Sequence, residues 1–347
     1  MEEDHAPKNS QIGSKRRSER DACLEVCSPS HSLQAPKPCV QSDYITQDGL
    51  LFEEYHMGVA VVDRARWKLV VDGLVDKPLV FSLQELECLP ESSITAFHEC
   101  YGSPLHPSQT NLWKIGNVVW SGVRLSTMLG MAGPSTSANF VWSEGLDYGV
   151  FAGNSVECYQ KDLPIEKAMS DEVIIAYKMN NEPLRPERGG PVRLVVPGWF
   201  ATNSTKWLSR LSVKSIRAPG IFASRFYNRE DSASATGISP VWAVEPNSMI
   251  VHPAPGACLY GPAINIHGWA WSAVEIATVE IRLDDTSDWI FAEIYPRQGF
   301  SWQKYTVSVD VCSGKHFVSV RATSTAGEKQ PLERGRNHVH TVRFEND

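Results

Sequence analysis

The chain has 347 residues, 42% of them hydrophobic and 21% charged, with a formal net charge of −7. That length accommodates two domains of ordinary size, the acidic balance argues against nucleic acid as a main partner, and no apolar run approaches the roughly 20 residues that a membrane-crossing helix needs. The start, Met1 to His5, has neither the basic nor the apolar segment of a secretory signal, and the eight cysteines lack metal-finger spacing, so the expectation is a cytoplasmic protein with reduced thiols.

In chain order, residues 1–40 contain no aromatic residue other than histidine, are rich in Ser, Lys and Pro, and read as a flexible tail. Lys15-Arg16-Arg17 is read as solvated charge, and Cys23 and Cys27, four apart with no second pair nearby, as a poor metal site. From Tyr44 the character changes. Trp67 to Val75, with its Asp72-Gly73 turn, and Leu79 to Phe81 read as a β-hairpin. Ser82 and Glu85 then have the spacing of a capping box at a helix start. Ser93 to Phe97 reads as a strand that breaks at Cys100-Tyr101-Gly102-Ser103-Pro104, which sets a thiol at a strand end. Val118 to Leu125 is a strand entering a helix near Ser126, and Asn139 to Trp142 another strand.

Val173 to Leu184 and Gly189 to Gly198 predict two apolar strands around a polar loop, with Arg193 inside the second. An arginine in Pro191-Val192-Arg193-Leu194-Val195 is costly to bury, so a negative charge is expected against it. Ser204 and Lys206 follow as donors suited to a phosphate, the alternative being a loop lysine beside a core tryptophan. From Gly237 onward, Ile264–Trp271, Val279–Leu283, Tyr305–Val311 and His316–Ala322 alternate with period 2 and predict an immunoglobulin-like β-sandwich. His338 and His340 alternate near the end and are read as two residues on one strand edge rather than a metal pair.

The Glu99-Cys100-Tyr101-Gly102 turn, the block Gly116 to Leu125, Ala176 to Leu184 and Pro191 to Trp207 together resemble the sulfite oxidase family of molybdopterin enzymes in order and spacing. The resemblance runs from about residue 44 to the C-terminus. It implies an α+β fold: a mixed α/β molybdopterin-binding catalytic domain of sulfite oxidase type over 41–236, then an immunoglobulin-like dimerisation domain over 237–347, hence a homodimer. It further implies a molybdenum-molybdopterin cofactor, with Cys100 as the molybdenum ligand. Arg193, Ser204 and Lys206 would hold the pterin phosphate and ring edges, His56 would match the histidine of an early Arg-Asn-His motif, and Tyr227 the family's active-site tyrosine. A soft thiolate suits such a metal, and the redox chemistry belongs to the cofactor.

Three departures accompany the match. Leu105 stands where sulfite-oxidising members carry an arginine, Glu54 where the early motif has one, and Ala270-Trp271-Ser272 runs on without a third. Sulfite is a dianion whose pocket needs guanidinium groups, each worth roughly 1.5 to 3 kcal/mol. The expected substrate is therefore a small neutral or cationic organic molecule such as a sulfoxide or N-oxide, in a pocket flanked by Tyr101, Leu105, His106 and Trp113. No haem-binding segment is evident, which leaves electrons to oxygen or to a separate donor or acceptor. Two alternatives remain open on the sequence: a true sulfite oxidase whose anion pocket is rebuilt from Arg124, Arg185, Arg188 or Arg225, and a cofactor-free binding or scaffold relative.

Overall fold

The computed structural model describes residues 23–27, 43–103, 114–285, 288–333 and 335–347. Lys15 to Arg17, and Pro104 to Trp113 with Leu105 and His106, lie outside the described residues. Within the stretch read as a tail, Leu24–Cys27 forms a strand that pairs antiparallel with Ala60–Val62. The segment Leu24-Glu25-Val26 alternates apolar and charged residues, as a strand paired on one edge requires, and there the flexible-tail reading does not hold.

Two sheets build the first unit. One orders the strands Gln160–Pro164, Phe140–Gly145, Leu208–Lys214, Lys68–Gly73 and Leu79–Ser82, antiparallel except for the parallel pair Leu208–Lys214 and Lys68–Gly73. The expected hairpin is present, and Gly73 takes φ +93° where an added Cβ would lie 2.2 Å from the Val213 carbonyl oxygen. The capping box forms as read: Ser82 Oγ accepts from the Glu85 amide while the Glu85 carboxylate accepts from the Ser82 amide, starting the helix Leu83–Glu87. The second sheet orders Glu182–Pro183, Ile174–Met179, Ile115–Arg124 and Glu91–Glu99, with Arg193–Val195 also on Ile174–Met179. Leu69, Val71, Val141 and Leu211 of one sheet pack in a single core with Val123, Ile175 and Leu194 of the other and with Met128 of the helix Leu125–Ala132. Their removal from water is the main stabilising term, about 25 cal/mol per Å² of apolar area.

The C-terminal unit is a sandwich of two sheets. Asn247–His252, Ala263–Trp271, Gln303–Asp310 and Glu293–Ile294 form one; Cys258–Leu259, His340–Asn346, Gly314–Ser324, Ile276–Leu283 and Ile290–Phe291 form the other. Ile264, Ile266 and Tyr305 from the first meet Val279, Ile281, Val318, Val320 and Val342 from the second in one core. The four long alternating segments read from sequence lie in these strands, apart from Val311, which falls just past Gln303–Asp310. His340 is buried and its Nδ1 accepts from the Ile250 amide 3.0 Å away, joining the two sheets. His338 instead bonds the Gly335 carbonyl, and among the described residues no group of three or more His, Cys, Asp or Glu could hold a metal ion.

Burial pushes the His340 imidazole down to about 3, so it stays neutral in the folded chain while its unfolded counterpart titrates near 6.5. The unfolded state then binds the extra proton, and the stability His340 contributes is complete above pH 6.5 and lost as pH falls toward 3. His340→Gln, which keeps an acceptor for the Ile250 amide, is expected to lessen the loss of unfolding free energy between pH 6 and 5 by about 1 kcal/mol. Urea titrations at the two pH values check this, and an unchanged difference would refute it.

The strand Glu91–Glu99 is shared between the units. Phe97 N donates to the Phe300 carbonyl and Phe300 N to the Thr95 carbonyl, both at 2.9 Å. Phe97 is buried with Trp269, Trp271 and Trp302 of the sandwich, while Ala96 and His98, one residue out of phase, face the first unit. No helix among the described residues is long and apolar enough to cross a membrane.

Candidate cofactor site

The shared strand ends at Glu99, and a tight turn begins at Cys100: Ser103 N donates to the Cys100 carbonyl and Gly102 N to the Cys100 Sγ at 3.3 Å. Lys114 closes the turn's base, its carbonyl accepting from Cys100 N and its amide donating to Ser103 Oγ. The thiol borders a cleft that is also lined by His56, Arg193, Ser204, Lys206 and Tyr227, so all six residues singled out in the sequence meet in one place. Burial, with the nearby Glu54 carboxylate, holds the Cys100 thiol above the ordinary cysteine range.

At the far end of the cleft Arg193 is fully buried. It donates to the carbonyls of Arg188 and Ser204 and to His98 Nε2, its guanidinium lies 4.9 Å from the Trp120 ring centre, and its Nε has no protein acceptor. No carboxylate takes up its charge; the negative partner expected from sequence is not supplied by the described residues. Burial, and then Arg188, brings its pKa down to about 9. Lys206 donates to the carbonyls of Glu54 and Glu187 and lies 4.4 Å from the Tyr55 ring centre. Burial and the neighbouring Arg193 and Arg188 push its pKa well below the usual lysine value. Gly189, at φ +90°, lets the Lys206 stem pass: a Cβ there would lie 2.7 Å from Lys206 Cβ. Ser204 Oγ accepts from the Val196 amide, which fixes the loop between the two cations.

On the opposite wall His56 Nε2 and Tyr227 Oη are hydrogen-bonded at 2.5 Å, among the rings of Phe151, Tyr159 and Phe222. Burial pushes His56 down to about 4 and Tyr227 well up, so both are neutral near pH 7. Tyr159 Oη donates to the Thr202 carbonyl at 2.7 Å, and Lys161 lies 5.1 Å from the Tyr227 ring centre.

Several cleft residues escaped the sequence reading. His98 was within reach of it, since it shares the face of Cys100 by simple alternation. Glu54 and Arg188 were singled out only as a lost arginine and as a candidate for a rebuilt anion pocket; their pairings, with Lys114 and with Asp48 and Glu53, gave no local signal. Nor did Arg336, which approaches from the sandwich: it donates to the carbonyls of Cys100 and Tyr101 at 2.7 and 2.8 Å and to Glu99 Oε1 at 3.2 Å. The buried Glu99 also accepts from Trp271 Nε1.

A cysteine thiol at the cleft's edge, an aromatic wall and a buried cationic end with an unpartnered N–H suit a sulfur-coordinated metal whose organic support ends in a phosphate, the kind of group that a molybdopterin-binding oxidoreductase carries. The family model for the oxidoreductase molybdopterin binding domain matches residues 56–222. Sulfite oxidase from Gallus gallus is 27% identical over 329 residues, covering 86% of this chain and 71% of that protein. Mitochondrial sulfite oxidase from Homo sapiens is 28% identical over 83% of this chain, which spans 57% of that enzyme's length. Among solved structures, the sulfane dehydrogenase SoxCD from Paracoccus pantotrophus matches with a TM-score of 0.76 at 26% identity, covering 99% of this chain and 93% of that one. The chain belongs to the sulfite oxidase family of molybdopterin-dependent oxidoreductases, and its cofactor is molybdenum-molybdopterin.

Proposed function

We propose that the enzyme acts on a small, non-sulfite organic substrate. Cys100 would ligate molybdenum; Arg193, Ser204 and Lys206 would hold the pterin phosphate and ring edges; His56 would fix the pterin side; and Tyr227 would meet the substrate. The bound cofactor supplies two-electron oxygen-atom-transfer chemistry. Around it, the neutral His56–Tyr227 pair can hold a proton at the Tyr227 hydroxyl, and the rings of Tyr101, Phe151 and Tyr159 exclude water.

One observation carries the substrate reading: among the described residues, each cation at the Cys100 end is matched by a carboxylate. Lys114 pairs with Glu54 and Arg336 with Glu99, and residues 104–113 contain no lysine or arginine. The arginines that could rebuild an anion pocket are committed elsewhere. Arg124 pairs with Asp171, Arg185 with Asp48, Glu53 and Glu187, and Arg188 with Asp48, Glu53 and two carbonyls, while Arg225 packs on Phe226. A dianion would give up its hydration there without compensating charge. Steady-state assays are the test: folded, molybdenum-loaded protein is expected to turn over a neutral sulfoxide or N-oxide panel faster than sulfite. Sulfite turnover with micromolar KM would sink the reading, and folded protein that takes up no molybdenum in a cofactor-competent host would mean a binding role.

The C-terminal sheets run in the order of immunoglobulin strands, with Cys258–Leu259 parallel to the last strand His340–Asn346, which supports an immunoglobulin-like sandwich. We infer that it dimerises the chain, and sedimentation giving a monomer at micromolar concentration would refute this. Electrons would pass to oxygen or to a separate carrier. A reducing, cytoplasmic setting fits cysteines that form no disulfide among the described residues.

A further inference from the structure

We propose that Arg336, contributed by the sandwich, is a positioning residue that holds the Cys100 turn in shape, so that the C-terminal unit completes the metal-ligand site. Its three donors reach three consecutive residues, the Glu99 carboxylate and the carbonyls of Cys100 and Tyr101. The planar fork satisfies all of them at once, which a lysine cannot do. The guanidinium also stacks 4.4 Å from the Phe200 ring centre and 5.0 Å from that of Tyr101, leaving it little rotational freedom. Glu99, on the opposite strand face from Cys100, is anchored to the sandwich a second time through Trp271 Nε1 at 2.9 Å. The turn beyond Cys100 otherwise rests on short local bonds from Gly102, Ser103 and Lys114. Arg336 is thus the one long-range side chain, among the described residues, that bonds both carbonyls of the turn, across 236 and 235 positions of sequence.

The inference rests on the reading of Cys100 as the ligand, and its test uses cofactor-free protein so that the two can fail separately. Iodoacetamide labelling followed by peptide mass spectrometry gives the alkylation rate of each cysteine. Arg336→Gln is expected to raise the rate at Cys100 by about tenfold or more, the share of strong charge-assisted bonds lost from the turn, while Cys23 in the first unit's core keeps its wild-type rate. Arg336→Lys should fall between. Because Arg336→Gln leaves Glu99 buried without its cation, the double variant Arg336→Gln with Glu99→Gln removes both charges and is expected to label at Cys100 as fast. An unchanged Cys100 rate, or Cys23 accelerating in step with Cys100 in both variants, would overturn the proposal. Separately, Cys100→Ser protein that loads molybdenum and keeps full activity would remove the ligand reading while leaving the labelling result standing.

Discussion

Cys100→Ser is expected to lower turnover by at least about a hundredfold while changing unfolding free energy by no more than about 1 kcal/mol. Disturbing a residue behind a metal ligand already costs about 10- to 100-fold, and replacing the ligand exchanges a soft, polarisable donor for a hard hydroxyl that stays protonated near neutral pH. The fold has little at stake in the sulfur, because the turn is held through backbone groups: the Cys100 amide on Lys114, the Cys100 carbonyl on Ser103 and Arg336. A serine accommodates all three. Steady-state rates, molybdenum content and a denaturant titration on the same preparation separate the cases. A variant with wild-type turnover would mean that the sulfur is not the ligand, and one that unfolds early would mean that Sγ contributes packing that the backbone network does not reveal.

What the sequence made legible follows from how local each signal is. The hairpin ending in Asp72-Gly73, the capping box at Ser82 and the period-2 strands of the sandwich are written in neighbouring residues, and each forms where expected. The six site residues were found through motif resemblance and lie in one cleft although up to 171 positions separate them. Neutralising contacts were not legible. Glu54 stood out as a lost arginine, but its pairing with Lys114, 60 positions away, emerges only when two loops meet. Arg336 lies in an irregular loop, and nothing around it marks a partner 236 positions earlier. Even so, alternation along Glu91–Glu99 assigns Glu99 and Cys100 to opposite faces, which implies a second body behind the strand. Tail residues 24–27 were misread because a two-strand ladder needs only a short alternating segment, too brief to outweigh the polar composition around it.

Arg193→Gln is expected to leave the cofactor-free protein within about 1 kcal/mol of wild type and to weaken cofactor retention by at least about tenfold. The two halves have one cause. Arg193 is buried with its charge facing carbonyls, an imidazole and an aromatic ring, with one N–H unsatisfied. In the empty cleft its desolvation is poorly compensated, and it disfavours the charged form of Lys206 beside it. Glutamine gives up bonds but also removes that cost, and the two changes oppose each other. With a phosphate in the cleft the balance reverses, because a charge-assisted bond worth roughly 1.5 to 3 kcal/mol disappears and nothing is recovered. Lys206→Gln should behave likewise, and the double variant should lose at least the sum, since removing Arg193 lifts part of the repulsion on Lys206 and so softens the loss in the single variant. Pterin fluorescence after desalting measures retention, and the melting-temperature gap between loaded and cofactor-free protein should shrink with it. Retention equal to wild type in Arg193→Gln would place the phosphate elsewhere; a cofactor-free variant destabilised by several kcal/mol would mean that Arg193 is first a structural residue, its cation already satisfied by the carbonyls it touches.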